Sequence, residues 1–189
     1  MALWATATIC STAVLADNAA GTLLVVNKTG HSVSLINLSS GAVLHELPTG
    51  AGPHEVAVSP DGHTAVISNY GPDSMPGNSL TVVDIAAARV LKTIQLASYR
   101  RPHGVAWLPD NRRIVVTAED NQALLLIDVP SGKLVRAIPT HRKISHMVAV
   151  HPDGRRAYVT SIGSGDLTVI DILRGIVTAQ IPLGNGAEG

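Results

Sequence analysis

The stretch Arg101–Asn111, RPHGVAWLPDN, occurs in related form three times in the 189-residue chain. It reads GPHEVAVSPDG from Gly52 to Gly62 and ISHMVAVHPDG from Ile144 to Gly154. Alignment on the histidine puts His54, His103 and His146 in register, each followed by an apolar triplet and then by Pro60-Asp61, Pro109-Asp110 or Pro152-Asp153. The histidines stand 49 and 43 residues apart, and self-similarity at a period in the forties marks a repeat architecture. Each residue is therefore read first as a member of a repeat.

The unit beginning at His146 is the clearest. Met147 to Val150 is apolar throughout, as a strand buried on both faces would be, and it ends in Pro152-Asp153-Gly154, which favours a tight hairpin turn. Three further strands are expected at Ala157 to Ser161, Leu167 to Ile172 and Val177 to Leu183, the second with the alternating, β-branched character of a half-buried strand. The preceding unit gives Val105 to Leu108, Ile114 to Thr117, Leu124 to Val129 and Leu134 to Ile138; before it come Val56 to Val58, Ala65 to Ser68, Leu80 to Ile85 and Val90 to Leu96. Residues 21–48 supply three strands of a first unit, Leu23 to Val26, Val33 to Leu38 and Val43 to Leu47. Four antiparallel strands per forty-odd residues is the pattern of an all-β propeller, each blade too small to bury both faces alone. An α-solenoid would need runs of ten or more residues at helical spacing, and the chain has none.

The second strands read Val25-Val26-Asn27-Lys28, Val66-Ile67-Ser68-Asn69, Val115-Val116-Thr117-Ala118 and Tyr158-Val159-Thr160-Ser161. With the VAVSPDG text and the strand endings Val83-Asp84, Ile127-Asp128 and Ile170-Asp171, this resembles the YVTN family of β-propeller repeats, related to surface-layer and cytochrome d1-type propellers. The resemblance covers residues 22–189 and implies a fold more than an activity. It implies about seven blades, so a full ring needs roughly 300 residues and this chain is expected to be the N-terminal part of one. The blades are expected at 21–49, 50–98, 99–140 and 141–183, with 184–189, GNGAEG, aligning with Gly50 to Glu55 as the start of another. Such an open set of blades would present edges to a missing remainder or to another copy. The Trp-Asp dipeptide of WD40 blades is absent.

Composition agrees with packed aliphatic sheets: 46% of residues are hydrophobic, only 3% aromatic, and there is no Phe. With 14 basic against 14 acidic residues the net charge is zero, which supplies neither the basic surface nor the aromatic platforms that nucleic-acid binding uses. Met1 to Ala16 is apolar, with Val14-Leu15-Ala16 as a small-residue cleavage site before Asp17, so residues 1–20 are expected to hold a signal peptide and the protein to be periplasmic or secreted. The segment is too short for a membrane span. No Lys or Arg precedes Lys28, and aligning Asp17-Asn18 with Asp110-Asn111 offers a second reading, with Thr12 to Leu15 as a strand. Removal of the segment would take Cys10, the one cysteine, with it.

His54, His103 and His146 head the innermost strand of each blade, so they are expected to ring the mouth of the propeller channel. Loops carrying Asn69, Tyr70, Asp73, Glu119, Asp120 and Ser161 open on the same face, and the loop Asn69 to Ser79, NYGPDSMPGNS, is the one insertion. Imidazole is the commonest metal ligand and titrates near neutrality, so converging histidines suit a metal, a haem or a polar ligand. The plain alternative is that each His caps its strand by hydrogen-bonding the neighbouring blade. Recurrence of Asp84, Asp128 and Asp171 before one turn, and of Asp61, Asp110 and Asp153 in the hairpins, marks them as caps and not acid-base pairs.

No Gly-x-Ser-x-Gly, His-Glu-x-x-His, paired-cysteine or phosphate-loop pattern is present. The leading expectation is a non-catalytic exported scaffold that binds a protein or small molecule at His54, His103, His146, Asn69, Tyr70, Glu119 and Asp120. The cytochrome d1-type resemblance implies the alternative of a cofactor- or metal-binding propeller. A lactonase-like hydrolase would draw its metal cluster from Glu55, Glu119, Asp120 and Asn69. The residues name no particular cofactor.

Overall fold

The fold is that of a computed structural model, which describes residues 20–189. The expected signal segment, the alternative strand at Thr12 to Leu15 and Cys10 lie outside the described residues. The described chain forms four antiparallel sheets in chain order. The first contains β1 (Thr22–Asn27), β2 (Ser32–Asn37) and β3 (Val43–Pro48). The second contains β4 (Pro53–Val58), β5 (Thr64–Asn69), β6 (Ser79–Asp84) and β7 (Arg89–Gln95); the third, β8 (Pro102–Trp107), β9 (Arg113–Ala118), β10 (Ala123–Asp128) and β11 (Lys133–Pro139). The fourth contains β12 (Ser145–Val150), β13 (Arg156–Ser161), β14 (Asp166–Asp171) and β15 (Ile176–Pro182). A 3-10 turn, Glu119–Asn121, follows β9. Among the described residues no helix is long and apolar enough to cross a membrane.

The recurring aspartates close the turns that make each sheet a meander. At the turn before the outer strand, Asp84 Oδ1 accepts from Ala87 N (3.0 Å), Asp128 Oδ1 from Ser131 N (2.9 Å) and Asp171 Oδ1 from Arg174 N (2.8 Å). In the hairpins Asp61, Asp110 and Asp153 accept from His63 N, Arg112 N and Arg155 N in the same way. Bonds to the ionised form, from Ser59 Oγ and then His63 N at Asp61, from Ser131 Oγ and N at Asp128 and from Arg155 N at Asp153, hold these carboxyls below the ordinary range; at Asp110 burial pushes upward but is outweighed by the bonds from Arg113 and Arg112.

Between neighbouring sheets lies the core. Ala65, Ile67 and Val83 pack against Val33 and Leu35 of the first sheet, while Val66, Leu80 and Val82, on the other face of the same strands, pack against Ile114, Val116, Leu125 and Ile127. The opposite face of the third sheet, Val115, Leu124 and Leu126, meets Ala157, Val159 and Ile170. One sequence expectation reverses here. β12, read as buried on both faces, is largely intermediate in exposure, and the strand buried along its whole length is β10; β14, read as half-buried, alternates buried and intermediate residues. The reason is position: a middle strand is covered by a blade on each side, whereas an inner strand turns one row of side chains out of that sandwich. The first sheet also shifts by one residue against the expected alignment, so that Asn27, not Lys28, matches Asn69, Ala118 and Ser161 at the strand end.

Close approach of the inner strands depends on Gly104. A Cβ there would lie 2.7 Å from His146 O and 2.8 Å from Met147 Cα, so any side chain would push the third and fourth blades apart. Thr117 Oγ1 donates to His146 O (2.6 Å) and Trp107 Nε1 to Ala57 O (3.0 Å), tying β12 to the third blade and the third blade to the second.

Candidate functional site at the blade mouth

The three histidines come together because of a bulge repeated in each blade. Pro53 pairs with Asn69 and Val56 with Ile67, so His54 and Glu55 together face one residue of β5; the same shift falls at His103-Gly104 and at His146-Met147. Two residues against one re-aims the side chain at that point. The rings follow one another, tilted, with His54 and His103 centroids 4.2 Å apart and His103 and His146 centroids 3.7 Å apart.

A second row lies beside the first. The residue that follows each second strand, Tyr70, Glu119 or Ile162, donates its backbone N–H to the carbonyl two residues before the blade's histidine: Gly52 O (3.0 Å), Arg101 O (3.2 Å) and Ile144 O (3.1 Å). Tyr70 and Glu119 are thus equivalent residues of adjacent blades, and Lys28 holds that place after β1. Glu119 links the rows. Its Oε1 lies 2.6 Å from His146 Nδ1 and its Oε2 accepts from Tyr70 Oη at 2.6 Å, although the carboxylate is only 6% exposed. The Tyr70 hydroxyl is pushed up to about 12 by burial and by its bond to this carboxylate, with Arg101 opposing. Tyr70 is edge-on to His103, with centroids 5.5 Å apart. The Arg101 guanidinium lies 4.7 Å and the Lys28 ammonium 5.4 Å from the Tyr70 ring centre, within cation–π range.

His103 differs from its neighbours. It is 2% exposed, and among the described residues its Nδ1 has no hydrogen-bond partner. Burial, reinforced by the positive charge that His146, His54 and Lys28 can carry, pushes its pKa down to about 3, so the ring is neutral at physiological pH and keeps a free lone pair. Capping of a neighbouring blade therefore describes His146, bonded to Glu119 of the blade before it, but not His103, and His54 pairs only with its own neighbour Glu55 at 3.4 Å.

Of the residues expected at the mouth, His54, His103, His146, Tyr70 and Glu119 converge. Asn69 does not: it is 1% exposed, and its side chain bonds Gly50 N, Ser79 Oγ and Thr81 Oγ1 inside its own blade. Being the last paired residue of β5, it reaches across to Ser79 and Thr81 of β6. Asp120 is exposed and faces Arg101 Nε at 3.7 Å. Three participants were missed. Arg101 stands two residues before the histidine, and Lys28 was hidden by the one-residue slip. Glu188 occupies the histidine register when Gly184–Gly189 is aligned on Gly50–Glu55, and its Oε1 lies 3.7 Å from His146 Nε2.

Four-stranded sheets stacked through shared aliphatic faces, with one bulged residue per blade at a common mouth, define a β-propeller repeat protein. Residues 5–113 match the YNCE-like beta-propeller family, and the chain belongs to it, as the YVTN-type text implied. The fold is similar to that of a chain of Kuenenia stuttgartiensis hydrazine synthase, with a TM-score of 0.74 and 30% identity, covering 85% of this chain and 45% of that one. This chain therefore spans less than half the length of that protein. No functionally curated protein matches it.

Proposed function

We propose that the chain is a non-catalytic binding scaffold whose ligand seats on the histidine row at the blade mouth. The observation that carries this reading is His103, a polar side chain held almost fully buried with one nitrogen unpartnered. An unmet buried donor or acceptor costs about 1–3 kcal/mol, and a ligand that supplied the partner would recover it. Around it stand groups able to orient a polar ligand: Tyr70, Glu119, Arg101 and Lys28. Among the described residues none of the three rings is hydrogen-bonded by a serine, threonine or cysteine side chain, so the row lacks the nucleophile–base pair that acyl transfer uses. The lactonase-like reading loses Asn69, which is committed inside its blade.

The apolar Met1 to Ala16 segment supports a place outside the cytoplasm, which the mass of the mature chain checks. The binding reading is tested by a thermal-shift screen of small carboxylates, phosphates and amines against the wild type, H103A and H63A. The expected result is a compound that raises the melting temperature of the wild type and of H63A, whose histidine is on the far hairpin, but not of folded H103A. Stabilisation that survives in H103A would remove the site from the histidine row.

A further inference from the structure

Resting on that reading of the mouth, we propose that His103, Glu119 and His146 form a site for one divalent transition-metal ion of the zinc class. Each offers one ligand atom, and the three atoms lie within 4.8 Å of one another. Zinc bonds to imidazole nitrogen and carboxylate oxygen at about 2.0–2.2 Å in a tetrahedron, which places ligand atoms somewhat over 3 Å apart, so closure needs only a small side-chain adjustment.

Three features favour an ion at this place over an idle cluster. His103 brings an imidazole that is buried and, among the described residues, unpartnered at Nδ1. Glu119 is already oriented by a hydrogen bond from Tyr70 Oη to its other oxygen, the arrangement by which an outer partner fixes a metal-binding carboxylate. The short contact between Glu119 Oε1 and His146 Nδ1 holds one proton where the ion would sit. Metal binding at Nδ1 displaces that proton, which the neutral ring keeps at its other nitrogen, and His146 Nε2–H then points toward the Glu188 carboxylate 3.7 Å away. A second grouping, His54, Glu55 and His103, satisfies the same distance limit but is more exposed and is linked only by a 3.4 Å contact. Calcium and magnesium call for six or more oxygen ligands, whereas imidazole with one carboxylate suits zinc and its neighbours.

The test uses the tag-free 189-residue chain after chelator treatment. Calorimetry with Zn²⁺ should show binding of one ion per chain; Mg²⁺ should give no heat. Co²⁺ should produce visible absorption bands of a low-coordinate nitrogen–oxygen site. E119Q should lose the bands, Y70F should weaken Zn²⁺ binding about 10–100-fold by freeing the carboxylate, and E55Q, which alters only the second grouping, should bind as the wild type does. Circular dichroism establishes that each variant is folded; if E119Q is not, the wild-type spectrum and Y70F decide. No Zn²⁺ heat and no Co²⁺ bands in the wild type would overturn the proposal, as would loss of binding in E55Q with retention in E119Q. If metal fails while a small compound still stabilises the protein in a manner sensitive to H103A, the scaffold reading stands and the metal site falls.

Discussion

His103 is kept in a form that the unfolded chain does not share, and that difference makes stability depend on pH. The ring titrates near 6.5 when exposed and near 3 in the fold, because burial and the neighbouring His54, His146 and Lys28 resist a further positive charge. The folded value is the lower one, so below about 6.5 the unfolded state takes up a proton that the folded state refuses. Stability is complete above that pH and falls as the pH drops toward 3, with a slope of about 1.4 kcal/mol per pH unit. The other titratable groups around the ring, Glu55, Glu119 and Tyr70, remain in the variant H103N. Urea midpoints of wild type and H103N compared across this range should therefore separate, the wild type losing more stability on acidification. Parallel curves would mean that His103 accepts its proton in the fold.

At the level of the strand, the histidine depends on the residue two places before it. Gly52, Arg101, Ile144 and Gly186 all have left-handed backbones, with φ of 56°, 52°, 54° and 78°. Glycine adopts this conformation freely, but a β-branched side chain is strained by about 1–2 kcal/mol. Ile144 is 43% exposed, so replacing it removes little packing. I144G should stabilise the protein by about 0.5–1 kcal/mol, the strain relief less the larger entropy that glycine loses on folding, and should raise the melting temperature by roughly 1–4 °C. A lower melting temperature would show that the side chain is held by contacts worth more than its strain. The histidine register and the capping aspartates were legible in the text because each recurs at a fixed place before a proline or a turn. The bulge was not, since it exists only in the pairing of β4 with β5 and its equivalents. Nor was the kinship of Tyr70 and Glu119, because the loop after β5 runs from Tyr70 to Asn78 and the loop after β9 only from Glu119 to Gln122, which breaks the alignment just where the second row begins.

Across the whole molecule, each blade is stable through faces it shares, so a face without a neighbour is a site of association. In the third blade Val115, Thr117 and Leu124 are fully buried against the fourth. The matching residues of the fourth blade, Tyr158, Thr160 and Leu167, are only half-buried, and with Met147 and Val148 they line an apolar groove of about 260 Å³. Their alternation with Ala157, Val159 and Thr168, which are covered, is the pattern of a middle blade. The exposed Leu23 and Val25 on β1, 45% and 37% accessible, offer a second copy of the chain a face of the same chemistry. Sedimentation velocity of the 189-residue chain should accordingly show self-association that grows with concentration. L167K, which places a charge in the groove, should return it to a monomer without lowering its melting temperature by more than a few degrees, because the residue packs against nothing that the fourth blade needs for its own core. A wild type that stays monomeric at every concentration, or an L167K variant that associates as before, would show that this face is not where a further blade or a second copy docks.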